Sequence, residues 1–227
     1  MKTKLFAGAL ATTYVFAGFS STAFGEENST NPEKLTNDLQ SVVENMDKEI
    51  VINNNGVKYN TDSLVEDISD EELDSINSLA KAQGLDVVYT KESFINEMVA
   101  GLKKVDQQIE DGELEVLSDG TMIESEDDNF YLQGGSTYTT THYWGKKFYK
   151  STAATKAWAY KASQLAVGHA VGGAAIGALS LGAGFIVGGI MTGWYSLFAN
   201  SLNYHNGKRG TVSDITWAMV YKVRAQK

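Results

Sequence analysis

Three histidines, His142, His169 and His205, carry what capacity the chain has for proton transfer near neutral pH. None stands in an H-E-x-x-H pattern, and after residue 128 the only carboxylate is Asp214. A zinc site draws three or four ligands together, which that region cannot supply. There is no cysteine, so thiol chemistry, disulfides and Cys-ligated zinc are excluded. No nucleophile elbow, P-loop or dinucleotide glycine pattern occurs. The acidic runs at 66–74 and 124–128 lack the spacing of a calcium loop and read as solvated faces. His169 reads as a helix-packing or interfacial residue. The residues therefore predict no enzyme, no cofactor and no metal site, and the chemistry left to the chain is binding.

Charge indicates where that binding would lie. Residues 26–134 hold 27 Asp and Glu against 7 Lys, whereas residues 135–227 hold one acid against 10 Lys and Arg. The chain as a whole carries −9, and nucleic acid is not an expected partner. A split this sharp suggests two segments with different partners, the simplest being each other. Leu132-Gln133-Gly134-Gly135 lies between them, and Gly135 is a candidate cleavage position.

The cations keep aromatic company. Trp144, Lys146, Lys147 and Lys150 precede an uncharged stretch of 46 residues, and Lys208 and Arg209 follow it. Trp158 stands near its start and Trp194 near its end. Tryptophan favours the membrane–water interface, and lysine beside an apolar helix attracts anionic lipid. Within the stretch, glycines recur four apart: Gly168 with Gly172, and Gly173 with Gly177. Gly184 with Gly188, and Gly189 with Gly193, repeat that spacing. Small residues at this spacing let helices approach closely in a membrane. In a water-exposed helix each glycine costs about 1 kcal/mol relative to alanine. The stretch predicts an apolar helical hairpin over 162–200 that meets an anionic bacterial membrane, with self-association as a further expectation. A hairpin buried inside a soluble domain reads the same way and stays open.

The elements that would position these residues follow from local signals. Lys2 and Lys4, an uncharged stretch over 5–21, and Ala23-Phe24-Gly25 predict a secretory signal peptide over 1–25, cut after Gly25, and a secreted mature chain. Asn31-Pro32 starts a helix that carries Leu35, Leu39, Val42 and Met46. Residues 50–59 predict a hairpin. Ser69 and Glu72 form a capping box for a helix from Asp70 to about Gln83. Leu85 to Tyr89 reads as a strand, and Thr90 caps a further helix that ends near Gly112. A second hairpin spans 114–123. Beyond the junction, 136–143 reads as a strand, Ser151 caps a helix, and 211–223 reads as one closing strand. The fold class is α+β: a small acidic α+β N-terminal unit over 26–134, then, over 135–227, a glycine-rich apolar helical hairpin flanked by two strands.

Tyr143-Trp144-Gly145, the uncharged glycine-rich centre, Asn206-Gly207-Lys208-Arg209-Gly210 and Ile215-Thr216-Trp217 together resemble large unmodified bacteriocins of the geobacillin type, secreted by Gram-positive bacteria. The resemblance covers the C-terminal region alone. It implies antibacterial action on the envelope and brings no catalytic residues. The leading expectation is therefore a secreted bacteriocin-like protein whose hairpin permeabilises target membranes, with the acidic half as an intramolecular shield. The alternative is a surface-anchored or soluble secreted interaction protein whose acidic domain binds a partner.

Overall fold

The computed structural model describes residues 32–118, 120–124, 137–166 and 192–227. Its first helix, α1 (Pro32–Glu49), begins at the proline, whose fixed φ suits a first helical position. A short antiparallel hairpin follows, β1 (Val51–Asn53) with β2 (Gly56–Lys58). Asn60 accepts from the Asp62 amide and caps α2 (Thr61–Glu66). The Ser69–Glu72 capping box is formed at the start of α3 (Asp70–Ala82). Thr90 and Ser93 cap α4 (Lys91–Glu110) in the same reciprocal way.

The second sheet has six antiparallel strands in chain order. These are β3 (Leu114–Val116), β4 (Met122–Glu124), β5 (Tyr138–His142), β6 (Gly145–Lys150), β7 (Thr211–Thr216) and β8 (Tyr221–Ala225). Two helices come between β6 and β7 in the chain, α5 (Thr152–Ala166) and a second one, α6 (Thr192–His205). The result is a mixed α+β fold with two antiparallel sheets. It differs from a hairpin framed by two strands because β3 and β4, from the acidic half, join the same sheet through Met122 opposite Thr141.

Strand periodicity sends alternate side chains to opposite faces. One face carries Phe148, Ile215 and Tyr221, and α5 and α6 cover it. Phe148 meets Trp158 at 5.1 Å between ring centroids, and Trp158 meets Phe198 edge-on at 5.0 Å. Phe198 and Trp194 both stand against Tyr221. Offset and edge-on pairs of this kind add about 0.5–1.5 kcal/mol beyond the area they bury.

The link between β7 and β8 is a buried turn. Trp217, Ala218, Met219 and Val220 are all in the core, and Met219 takes a φ of 63°. Groups from distant parts of the chain hold its backbone. Tyr89 donates its hydroxyl to the Ala218 carbonyl at 2.9 Å, and the Trp194 indole donates to the Met219 carbonyl at 2.9 Å. The Trp217 indole donates to the Tyr143 carbonyl at 2.7 Å, and its ring lies against Gly101 of α4 so closely that a Cβ there would overlap it. Next to the turn, the Gln83 side chain accepts from the Tyr221 amide and donates to the Tyr221 carbonyl. Tyr143 in turn donates to the Val43 carbonyl of α1 at 3.0 Å.

One apolar cluster therefore runs from Leu39 in α1 to Val223 in β8. The charge change near Gly134-Gly135 does not divide two cores among the described residues. Those two glycines lie outside the described residues, as does the predicted signal peptide with Gly25.

Two strand readings change. Residues 85–89 form no strand, because Asn77 takes up the backbone hydrogen bonds of Tyr89 where a neighbouring strand would have done so. Residues 211–223 are two strands, bent at the buried turn.

The membrane-inserting hairpin is corrected as well. No helix among the described residues is long and apolar enough to cross a membrane. In the described arms, α5 and α6, Trp158, Trp194 and Phe198 instead pack on each other and on the sheet. This overturns the expectation of a membrane-active, permeabilising toxin. Residues 167–191, with Gly168, Gly172, Gly173, Gly177, Gly184, Gly188 and Gly189, lie outside the described residues. Gly193, at the start of α6, approaches Gly84.

Candidate binding surfaces

Two charged regions stand out among the described residues, one exposed and one largely buried. The first belongs to the acidic half. Glu66 and Asp67 close α2, and Asp70, Glu71 and Asp74 lie on the first turns of α3, all exposed. Glu92 on the first turn of α4 and Asp86 in the loop before it are also exposed. Carboxylates at helix starts are favoured by the helix dipole, which explains why the sequence places them there. Lys91 sits 2.7 Å from the Asp70 carboxylate, and its hydrogen bond and charge hold that carboxyl below its usual range. The Ser75 hydroxyl donates to Asp38, tying α3 to α1.

The second surface is the face of the large sheet opposite α5 and α6. Strand register arranges it in rows. Thr140, Lys147, Asp214 and Lys222 are successive partners across β5 to β8. Beside them run Tyr138, Tyr149, Val212 and Arg224. The Tyr138 and Tyr149 rings stack at 4.1 Å, and His142 stacks on Trp144 at 5.0 Å. Thr140 and the His142 ring are hydrogen-bonded at 2.8 Å. Arg224 pairs with Asp214. Asp214 is thus a counter-ion set among three cations.

Burial pushes the Lys222 amine down to about 7, with Arg224 and Lys147 adding to the fall and Asp214 opposing it. An unfolded lysine titrates near 10.4. Between about pH 7 and that value the unfolded chain holds more protons than the folded one, so stability rises with pH across this window. Burial lowers Lys146 and Lys150 as well, in the same sense. Urea unfolding at pH 7 and pH 9 is expected to show the higher midpoint at pH 9, and Lys222→Met is expected to reduce the difference. Equal pH dependence in the two proteins would contradict this assignment.

The residues singled out for membrane binding are distributed differently from a lipid-facing set. Lys146 and Lys147 are only 4% and 7% exposed. Lys147 lies over the Trp144 ring at 5.8 Å, and Lys150 over Trp158 at 5.4 Å, as cations held by aromatic faces. Trp158 and Trp194 are in the core, while Trp144 is half-buried. Lys208 and Arg209 are exposed at the Gly207–Gly210 turn, away from the others along the chain. Burial lowers His205, which favours its neutral form. Sequence reasoning missed Gln83, Tyr89 and Asn77, because an amide or a phenol gives no local sign that it will bond to backbone far away.

Among the described residues no group of His, Asp and Glu could hold a metal ion. Comparison with protein-family models gives no match, and comparison with curated proteins and with solved structures gives none either.

Proposed function

We propose that this chain is an exported interaction protein whose acidic half meets the partner. Export rests on the charged start, uncharged core and small-residue cut site of the first 25 residues. The observation that carries the binding reading is the gathering of exposed carboxylates on one support: Glu66, Asp67, Glu71 and Asp74 all stand in solvent at the end of α2 and the start of α3. What a partner meets across α2 to α4 is a carboxylate-rich surface on a well-packed support.

Such a surface attracts a cationic partner. Single exposed ion pairs contribute about 0–1 kcal/mol. Selectivity and encounter rate therefore come from the summed field of the face, and they weaken as salt screens it. The test is capture of envelope and culture-medium proteins on the tagged full-length chain, beside a Glu66→Lys/Glu71→Lys/Asp74→Lys variant. A cationic protein held by the parent at low salt, and lost both at high salt and in the variant, supports the reading. Equal capture by parent and variant contradicts it.

A further inference from the structure

The cations of the large sheet are gathered round one carboxylate. Register sets Asp214 in β7 directly opposite Lys147 in β6 on one side and Lys222 in β8 on the other. Side chains of such partners leave the same face of the sheet, with Cβ atoms about 5 Å apart. Arg224 leaves that face two residues beyond Lys222 and takes the Asp214 Oδ2 atom in an ion pair. The other carboxylate oxygen, Oδ1, is buried and accepts no hydrogen bond among the described residues. A buried acceptor without a donor is costly, and this one is available to a proton.

Lys222 is the member of the group best placed to react. Its side chain is half-buried, whereas Lys147 is 7% exposed and lies over the Trp144 ring. Arg224 engages the carboxylate that would otherwise steady the Lys222 ammonium. Burial pushes the Lys222 amine down to about 7, and the charges of Arg224 and Lys147 act in the same direction. A lysine desolvated beside other cations is a nucleophile at neutral pH.

The reaction open to such an amine is addition to a carbonyl. The nitrogen lone pair forms the N–C bond as the carbonyl π bond breaks onto oxygen. Both amine protons end on that oxygen, which leaves as water, and a C=N bond remains. One water is released per imine, and no oxidant or reductant is consumed. Asp214 Oδ1 is suited to carry the protons. With Lys222 neutral, Lys147 and Arg224 still outnumber Asp214, so the site favours a carbonyl compound that bears an anionic group.

We propose that Lys222 is an imine-forming site for a small α-oxo acid, with Asp214 as proton carrier and with Lys147 and Arg224 receiving the carboxylate. This site lies beyond the acidic surface and stands or falls separately from it.

The test treats the full-length chain briefly with glyoxylate and cyanoborohydride at pH 7. The reductant fixes imines as secondary amines, and mass spectrometry maps the labelled lysines. Exposed Lys208 is the internal reference. Lys222 is expected to be labelled about tenfold faster than Lys208, since far more of its amine is unprotonated at that pH. The ratio is expected to approach one in urea, and to fall when glycolaldehyde, which has no carboxylate, replaces glyoxylate. Arg224→Gln, which releases Asp214 to hold the Lys222 ammonium, is expected to slow labelling of Lys222 and leave Lys208 unchanged. Labelling of Lys222 no faster than that of Lys208 in the folded parent would overturn the proposal. An equal ratio with both aldehydes would overturn the anionic substrate, and unchanged labelling in Arg224→Gln would overturn the roles of Arg224 and Asp214.

Discussion

Replacing Trp217 with alanine is expected to cost about 3–5 kcal/mol, the usual loss for a large aromatic side chain removed from a packed core. Trp217 is almost wholly buried, donates its indole N–H to Tyr143 and fills the space against Gly101. Gly101 is on α4 in the acidic half, while Trp217 follows β7 near the other end of the chain, so the cavity would open between the two charge halves. Stabilities of about 5–15 kcal/mol are typical of folded domains, so the variant should sit close to unfolding. Urea titration followed by far-UV dichroism and by tryptophan fluorescence is expected to give one transition, shifted alike in both signals. A loss below about 1 kcal/mol would show that the ring is not packed as described. So would a shift in fluorescence alone.

The second large effect is at Gln83. Its side-chain amide pairs with both backbone groups of Tyr221, and both residues are buried. Because β8 is an edge strand of the six-stranded sheet, these groups would otherwise point outward without a ladder partner. Leucine would keep the approximate volume and leave an N–H and a C=O unsatisfied. At about 1–3 kcal/mol for each stranded group, Gln83→Leu should lose about 2–6 kcal/mol in all. Amide exchange at Tyr221 should accelerate well beyond that at Val212. The unfolding temperature of a chain this size moves by about 2–4 °C per kcal/mol, which makes the loss easy to read. Unchanged exchange at Tyr221 would contradict the capping role.

Elements whose signals are local could be read from the sequence. The Ser69–Glu72 pair and Thr90 mark the starts of α3 and α4, and Gly56 and Gly120 accompany the turns of the two small hairpins. Residues 145–150 resisted because lysines at 146 and 147 hide a strand. Only the folded chain shows Trp144 beneath Lys147 and Glu124 acting on Lys146. The bend at 217–220 carries no glycine, proline or asparagine, since Tyr89 and Trp194 hold it from far away in sequence.

The tryptophans posed a different difficulty. Large aromatic residues beside an apolar stretch suit a membrane boundary and a protein core equally well by type, and only their neighbours decide. Net charge misled in a third way. Many of the residues that hold the halves together, Gln83, Tyr89, Gly101, Tyr143 and Trp217, carry no charge at neutral pH. The acidic candidate surface was legible as composition, but the row that sets Lys147, Asp214 and Lys222 side by side depends on strand register and was not.

The central claim is that the acidic half belongs to the working body and is not a detachable shield for the C-terminal half. The most direct measurement is co-expression of residues 26–134 and 135–227 as separate chains, with a tag on one of them. The account predicts a one-to-one complex that purifies through the tag and unfolds in a single transition near that of the intact chain. Residues 135–227 recovered alone, folded and monomeric, with no affinity for the acidic half, would contradict it.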